Sequence, residues 1–428
     1  MRILWLHQYF STPKGWGAVR TYEFARRFVA KEHSVDVLCC GGYDEWLQEE
    51  VKKRGFVEVE GIKVFVSKTK YGSRMSFIQR VCSFLKFMSY ALWFVLRNGR
   101  KYDLCIASSG PLTMAIPALA GRWFYGLPYI FEVIDVWPDS AIDVGVLKNR
   151  FLQWISLFVE RKAYRYAEAI VTCSTGMTDR IINKLQGAMD VTPEHRSEID
   201  DFAVSSVSVG KKTYRIQTIS NSCDLDQFKA DSVVRSEVRS QHGVAADKLV
   251  VLYSGAMGVS NQIDDVMGAI NATKGSADIV WWLAGDGVRA DDLKLLEADG
   301  RVKFFGQLSK VEVARLYQAA DVNLVTFMHT PLFYENSPNK FFDGITAGLP
   351  TIFNRSTWLN PWLKAFGCGI VCAGGSPGAK IVNELTSLSK DPRRLKEMSM
   401  GSRRLAESVF SRDLVFEKYE ELLDEKRA

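Results

Sequence analysis

Leu249-Val250-Val251-Leu252-Tyr253-Ser254-Gly255 is the stretch from which the fold can be read. It carries no charge, is rich in aliphatic residues and closes on a glycine. Such a run reads as a buried strand ending where the backbone must turn closely. Alternation follows. Ile263 to Asn271 places apolar residues at helical spacing, and Ile279 to Ala284 is a strand ending in Gly285-Asp286-Gly287. Val302 to Phe305, Val322 to Val325 and Pro350 to Phe353 read as further strands. Lys310 to Ala320 and Pro338 to Ala347 read as the helices between them. Strand and helix alternating at this spacing predict a parallel sheet covered on both faces.

The first half repeats the pattern. Arg2 to Leu6, Ser34 to Cys40, Lys63 to Ser67, Leu104 to Ser108, Tyr129 to Ile134 and Ala169 to Cys173 read as strands. Tyr22 to Ala30, Met114 to Trp123 and Phe151 to Glu168 read as helices. Between Gln186 and Arg215 the pattern lapses into a polar stretch, read as an insertion or loop. A chain of 428 residues exceeds what one core usually holds. The expected fold class is α/β, with two Rossmann-like doubly wound domains facing a cleft. Residues 1–220 form the first, with the insertion at about 186–215, and 221–400 the second. Residues 401–428 form a helical closure that packs back on the first. Ligands of open parallel sheets sit at the carboxyl ends of the strands, so the cleft is the expected site.

The net charge of +6 is unevenly spread: from Ile62 to Tyr102 there are nine basic residues and no acid. Such a stretch calls for an anionic partner. Within it, Phe77, Val81, Phe84, Leu85 and Met88 recur at helical spacing. One reading is a core helix whose charges happen to be basic. The sharper one is an interfacial helix on an anionic membrane surface, contacting it through Arg74, Phe77, Arg80, Phe84, Lys86, Trp93 and Arg97. Nucleic acid is disfavoured as a partner, because the patch is confined to one segment without a recognition motif. The longest apolar run, Phe87 to Leu96, falls short of the roughly 20 residues that span a bilayer. Met1 to Phe10 reads as a first strand, not a signal peptide. The expected location is cytoplasmic, peripheral on the inner face of the cell membrane. The eight cysteines are expected to be buried, reduced thiols; Cys368 and Cys372 lack the second pair a zinc site needs, and no metal site is expected.

Tyr334-Glu335-Asn336-Ser337-Pro338-Asn339-Lys340-Phe341-Phe342-Asp343-Gly344-Ile345-Thr346-Ala347-Gly348-Leu349-Pro350 is the most specific local segment. Pro338 helps begin a helix whose free amides suit a phosphate. Lys340 lies in the first turn, where helix stability would not place a cation, and that favours anion binding. The same residues read equally as a solvated acid, a cap and a core helix. Asp135, which ends the strand from Tyr129, reads as a carboxylate in the cleft or as a turn-capping acid.

The segment resembles the E-x7-E region of retaining GT-B glycosyltransferases of family 4. Other pieces join it in order. Gly15-Trp16-Gly17 stands where the family has its N-terminal glycine loop, and Asn221 to Phe228 looks like its hinge. Tyr253-Ser254-Gly255 resembles the opening of its donor domain, Gly285-Asp286-Gly287 its G-x-G turn and Gly401 to Ser411 its closing helix. Phe131 to Ala141 is similar to a subgroup acting in bacterial O-antigen and capsule synthesis, including N-acetyl-L-fucosamine transferases.

The resemblance implies the GT-B fold, a UDP-sugar donor, a polyprenyl-diphosphate-linked acceptor and no cofactor. It gives catalytic roles to Asp135, Glu335 and Lys340, and donor binding to Gly17, Gly255, Ser337, Pro338, Asn339 and Asp343. Phe305 to Leu308 would lie near the base. Two departures stand out. Asp343 replaces the family's second glutamate, and Gly255 to Thr273 lacks the Arg and Lys that often neutralise the leaving diphosphate. Lys340, Arg20 or helix N-termini must then supply the charge. The departures keep two alternatives in play: a soluble sugar-phosphate acceptor, or a nucleotide-sugar binding protein without turnover. A nicotinamide dehydrogenase is set aside, because the third glycine after Gly285-Asp286-Gly287 is missing.

Overall fold

A computed structural model describes residues 1–424 apart from 43, 45, 48, 51–54, 73, 74, 188–198, 200, 201 and 203. The chain divides into two compact units: Met1–Pro193, Asp200–Ser220 and Phe416–Ala428 in one, Glu194–Ile199 and Asn221–Val415 in the other.

In the first unit, β1 (Arg2–Leu6), β2 (Ser34–Cys40), β4 (Ile62–Ser67), β5 (Leu104–Ser108), β6 (Tyr129–Val133), β7 (Ala169–Thr172) and β9 (Lys212–Thr218) run parallel. Two antiparallel strands, β3 (Val57–Val59) and β8 (Ser205–Val209), close the edges. The order is β3-β4-β2-β1-β5-β6-β7-β9-β8, so strand order reverses between β1 and β5. The central strands β1, β2, β5, β6 and β7 are nearly all buried because helices cover both faces. These include α1 (Arg20–Ala30), α2 (Phe77–Asn98), α3 (Ala115–Tyr125), α4 (Asp139–Asp143), α5 (Arg150–Tyr166) and α6 (Thr175–Leu185).

The polar insertion is partly a correction. Its Val/Ser alternation is the period of two of a half-exposed edge strand, and β8 turns at Gly210 (φ +61°) to pair with β9. The remainder of the insertion falls largely outside the described residues.

The second unit holds one six-stranded, all-parallel sheet in the order β12-β11-β10-β13-β14-β15. Its strands are β10 (Leu249–Ser254), β11 (Ile279–Ala284), β12 (Val302–Gly306), β13 (Val322–Val325), β14 (Thr351–Phe353) and β15 (Gly369–Val371). Helices α7 (Ser232–Gln241), α8 (Ile263–Ala272), α9 (Ala290–Lys294), α10 (Lys310–Ala319), α11 (Asn339–Thr346), α12 (Asn360–Phe366), α13 (Pro377–Lys390) and α14 (Pro392–Ser408) complete it. The reversal of strand order lies between β10 and β13, the kind of position at which open parallel sheets bind ligands.

The return of the chain begins later than residue 401. Helix α14 stays with the second unit, where Ser402 Oγ donates to Leu349 O at 3.0 Å. Only from Phe416, within α15 (Arg412–Asp424), does the chain join the first unit. There Phe416 meets Phe28 (4.9 Å) and Tyr419 meets Phe24 (5.2 Å) and Trp5 (6.2 Å). The aromatic spacing i, i+3 puts both rings on one face of α15.

Candidate active site

The glycines after β10 and β11 interlock. A Cβ on Gly285 would stand 1.9 Å from Gly255 O, and one on Gly287 would stand 2.5 Å from Met257 O. Hydrogen bonds lace the two loops: Gly255 N donates to Ala284 O (2.8 Å) and Met257 N to Asp286 O (2.9 Å). Gly255 itself has φ +114°, a conformation that side chains oppose. The result is a bare backbone rim at the carboxyl ends of β10 and β11.

Lys340 reaches this rim from the first turn of α11. Its Nζ lies over the Tyr253 ring (4.3 Å) and 3.4 Å from Asn261 Oδ1. A Cβ on Gly255 would sit 3.4 Å from that Nζ. No carboxylate is paired with Lys340 among the described residues. Burial of the ammonium pulls its pKa down to about 7. An ammonium at a helix start suits an anion.

The start of α11 has other groups in hand. Pro338 caps it without a side-chain hydrogen bond; Phe341 N donates to Pro338 O (3.0 Å), while Asn339 N and Lys340 N have no acceptor among the described residues. Ser337 is buried, and its Oγ has no hydrogen-bond partner among the described residues. Asn221 Nδ2 holds the Ser337 carbonyl at 2.6 Å. Asn323 Nδ2 (2.9 Å) and Tyr317 Oη (3.2 Å) both donate to Lys340 O, and Tyr317 also meets Ser254 Oγ at 2.7 Å. The lysine is thus anchored through its backbone while its ammonium stays available. Asn339 is exposed beside it.

The two acids of the segment differ. Glu335 is 1% exposed, directly after the 3-10 turn Pro331–Tyr334. Asp343 is also buried, and both its oxygens accept from Lys310 Nζ (2.7 and 2.6 Å), which lies over the Phe228 ring. Burial raises the Asp343 pKa, with Lys310 opposing. Sequence reasoning missed Lys310, which no local pattern connects to Asp343. Phe305, expected near the base, packs edge-on against Trp282 (5.7 Å) and His242 (5.0 Å). Asp224 is held by Arg412 (2.7 Å) and caps Gln227 N (3.0 Å), as a turn residue does.

In the first unit, Gly17 precedes α1, and its N–H donates to Ser11 Oγ (3.3 Å). Asp135 follows β6 in the loop before α4 and is exposed. His7 is buried after β1, bonded to Thr21 Oγ1 (2.7 Å), and burial drops its pKa to about 4. It is a packed, neutral residue. Arg20 is committed elsewhere. Its Nε binds Glu132 Oε1 (2.9 Å), and its terminal nitrogens bind Ser220 O (2.5 Å) and Ile219 O (2.7 Å). Of the groups the sequence offered for a phosphate, Lys340 and the α11 N-terminus lie together in the second unit.

The expected membrane contacts are sorted by the two faces of α2. Ser83, Phe87, Ala91, Phe94 and Val95 face the core. Lys86, Trp93 and Arg97 face out, and Arg80 is half-buried. Phe84 is half-buried, with its ring 5.9 Å from that of Tyr71 and 6.2 Å from that of Trp137. Arg74 and the Phe77 side chain lie outside the described residues. Seven cysteines are buried, but Cys82 is exposed on this helix. Among the described residues no helix is long and apolar enough to cross a membrane.

Residues 17–192 match the Glycosyl transferase 4-like domain, and residues 248–391 match Glycosyl transferases group 1. A probable glycosyltransferase from Pseudomonas aeruginosa, WbjE, is 22% identical over 301 residues, covering 68% of each chain. Among solved structures, Anabaena HepE with UDP and glucose aligns over 99% of this chain and 100% of its own, with a TM-score of 0.66 and 16% identity. WaaG, described as a glycosyltransferase of lipopolysaccharide biosynthesis, covers 99% of both chains with a TM-score of 0.67 and 14% identity. Sucrose-phosphate synthase from Thermosynechococcus elongatus covers 99% and 98%, with a TM-score of 0.69 and 13% identity. All share the GT-B fold with this chain.

Proposed function

The chain is a glycosyltransferase of GT-B architecture, and from that premise we propose that it moves a sugar, with retention, from a UDP-sugar to a polyprenyl-diphosphate-linked acceptor in bacterial surface polysaccharide synthesis. The observation that carries the donor half is the Lys340 ammonium beside Gly255, which has no carboxylate partner among the described residues, at a helix start where Ser337 Oγ has no hydrogen-bond partner among them either. HepE, of the same fold, is described in complex with UDP and with UDP-glucose, which favours UDP as the nucleotide. The lipid-linked acceptor rests on the O-antigen-like segment around Asp135 and on the outward basic face of α2.

In the proposed reaction the bond between the anomeric carbon and the diphosphate breaks, and its electron pair leaves with UDP. Lys340, the α11 amides and the Gly255 rim meet the growing negative charge, a pre-organised electrostatic contribution. The acceptor hydroxyl enters on the face that the diphosphate leaves. Glu335 is assigned to the transferred sugar and Asp343 to the ribose, with Lys310 fixing the Asp343 carboxylate. Asp135, an exposed carboxylate, is assigned to take the acceptor's proton. No resident metal enters this scheme. Transfer is tested with a panel of UDP-sugars against lipid-linked and soluble sugar-phosphate acceptors, with and without EDTA. Turnover on the lipid-linked acceptor, insensitive to EDTA and lost in Glu335→Gln, is the expected result. Turnover only on the soluble acceptor, or donor binding without turnover on either, contradicts it.

A further inference from the structure

We propose that the outer face of α2, α3 and α5 docks on a bilayer rich in anionic lipid, and that an aromatic ladder on α5 is the part that enters the lipid. This deepens the membrane side of the reading above, but vesicle binding tests it independently of sugar transfer. The sequence pattern of α5 shows a helix; only its placement shows that the apolar side is bare.

The ladder is Phe151, Trp154 and Phe158. Phe151 is 65% and Trp154 57% exposed, and the rings stack in succession at 6.2 and 6.0 Å. Leu152 and Ile155 are exposed beside them. The surface continues onto α3, where Trp123 meets Tyr166 of α5 at 5.7 Å and Phe124 is 68% exposed. It continues onto α2 through the Tyr125 hydroxyl, which donates to Leu96 O, with Trp93 exposed one turn earlier. Stacked, solvent-facing aromatics on three adjoining helices exceed the scattered apolar residues normal on a surface.

Charge selects the occupant. The three helices carry eight bases (Arg80, Lys86, Arg97, Arg122, Arg150, Arg161, Lys162 and Arg165) and one acid, Glu160. Glu160 is buried and bound to Lys184 at 2.7 Å, so it offers nothing to the surface. Cations also lie over the outward rings: Arg97 over Trp93 (5.9 Å) and Lys162 over Phe158 (5.2 Å). Aromatic rings flanked by long basic side chains suit the headgroup level of an anionic membrane. A second copy of the same face would set like charges against each other.

The test is co-sedimentation with vesicles of phosphatidylglycerol and phosphatidylcholine. The double variant Trp154→Glu/Phe158→Glu changes only exposed side chains. It should need about tenfold more lipid for half-binding, while its far-UV spectrum and UDP affinity match the native chain. Lys86→Glu/Arg97→Glu should weaken binding only at low salt. Unchanged binding of the aromatic double variant overturns the proposal. So does a native chain that ignores these vesicles, or one that is a dimer which the double variant dissociates. Lost UDP binding in the native chain would instead strike at the proposed function.

Discussion

The Lys340 ammonium stands against the bare backbone of Gly255: a Cβ there would lie 3.2 Å from Lys340 Cε and 3.4 Å from Nζ. The stretch from Gly255 to Thr273 holds no Lys or Arg, and the ammonium beside Gly255 comes from α11 instead. The glycine makes room for it and for whatever anion it meets.

The interlocked rim should tolerate no side chain. Gly285→Ala places a methyl group 1.9 Å from the Gly255 carbonyl, and one backbone must move. A loss of about 3 kcal/mol in urea unfolding, together with weaker UDP binding, is expected. Gly268→Ala, mid-helix with nothing within 4 Å, should gain up to about 1 kcal/mol. Equal effects at the two positions would contradict the interlock.

Lys310 and Asp343 should behave as a coupled pair. Lys310→Met leaves a buried carboxylate without its cation and should cost about 3 kcal/mol near pH 7. Asp343 already has a folded pKa above its unfolded value, and loss of Lys310 raises it further. Such a group holds its stability at low pH and loses it as pH rises through the folded pKa. The variant should therefore be more stable at pH 5 than at pH 7. A flat urea-melt profile across that range would remove the pairing from the account.

How far the sequence reached follows from what each feature depends on. Strands such as Leu249–Ser254 and Ile279–Ala284 were legible to the residue, because a doubly covered strand is a local apolar run. The α11 start was legible from Pro338 and Lys340. The Lys310–Asp343 pair, the commitment of Arg20 to Glu132 and the bare face of α5 were not, because each depends on which elements the topology makes neighbours. Helical spacing in α2 identifies an apolar stripe but not how far each residue of it is covered: Phe87 is buried and Phe84 half-buried.

His7 gives the first unit a pH dependence. Its folded pKa of about 4 lies below the ordinary 6.5, so the unfolded chain binds more protons between these values. Stability is then complete above about 6.5 and falls as pH drops toward 4, by up to about 3 kcal/mol. His7→Asn, which keeps an acceptor for Thr21, should flatten that slope by about one proton. An unchanged slope would place the acid sensitivity elsewhere.

The fastening of the returning chain should show graded costs. Glu132 is fully buried between Arg20, Ser108 Oγ (2.5 Å) and Tyr419 Oη (2.5 Å). Arg20→Met strands the carboxylate and should cost about 3–5 kcal/mol, whereas Tyr419→Phe removes one bond and should cost about 1–3 kcal/mol. Thermal or urea unfolding orders the two; the reverse order would mean that Arg20 has another role.

The most direct test is UDP affinity, by calorimetry, from pH 6 to pH 9 for the native chain and for Lys340→Arg and Lys340→Met. If Lys340 is the diphosphate cation, its free pKa of about 7 makes native binding weaken by about tenfold per unit above pH 7, with proton uptake on binding. Lys340→Arg should bind without that slope, and Lys340→Met should bind weakly at every pH. Native and Lys340→Met chains with the same affinity and the same profile would contradict the account.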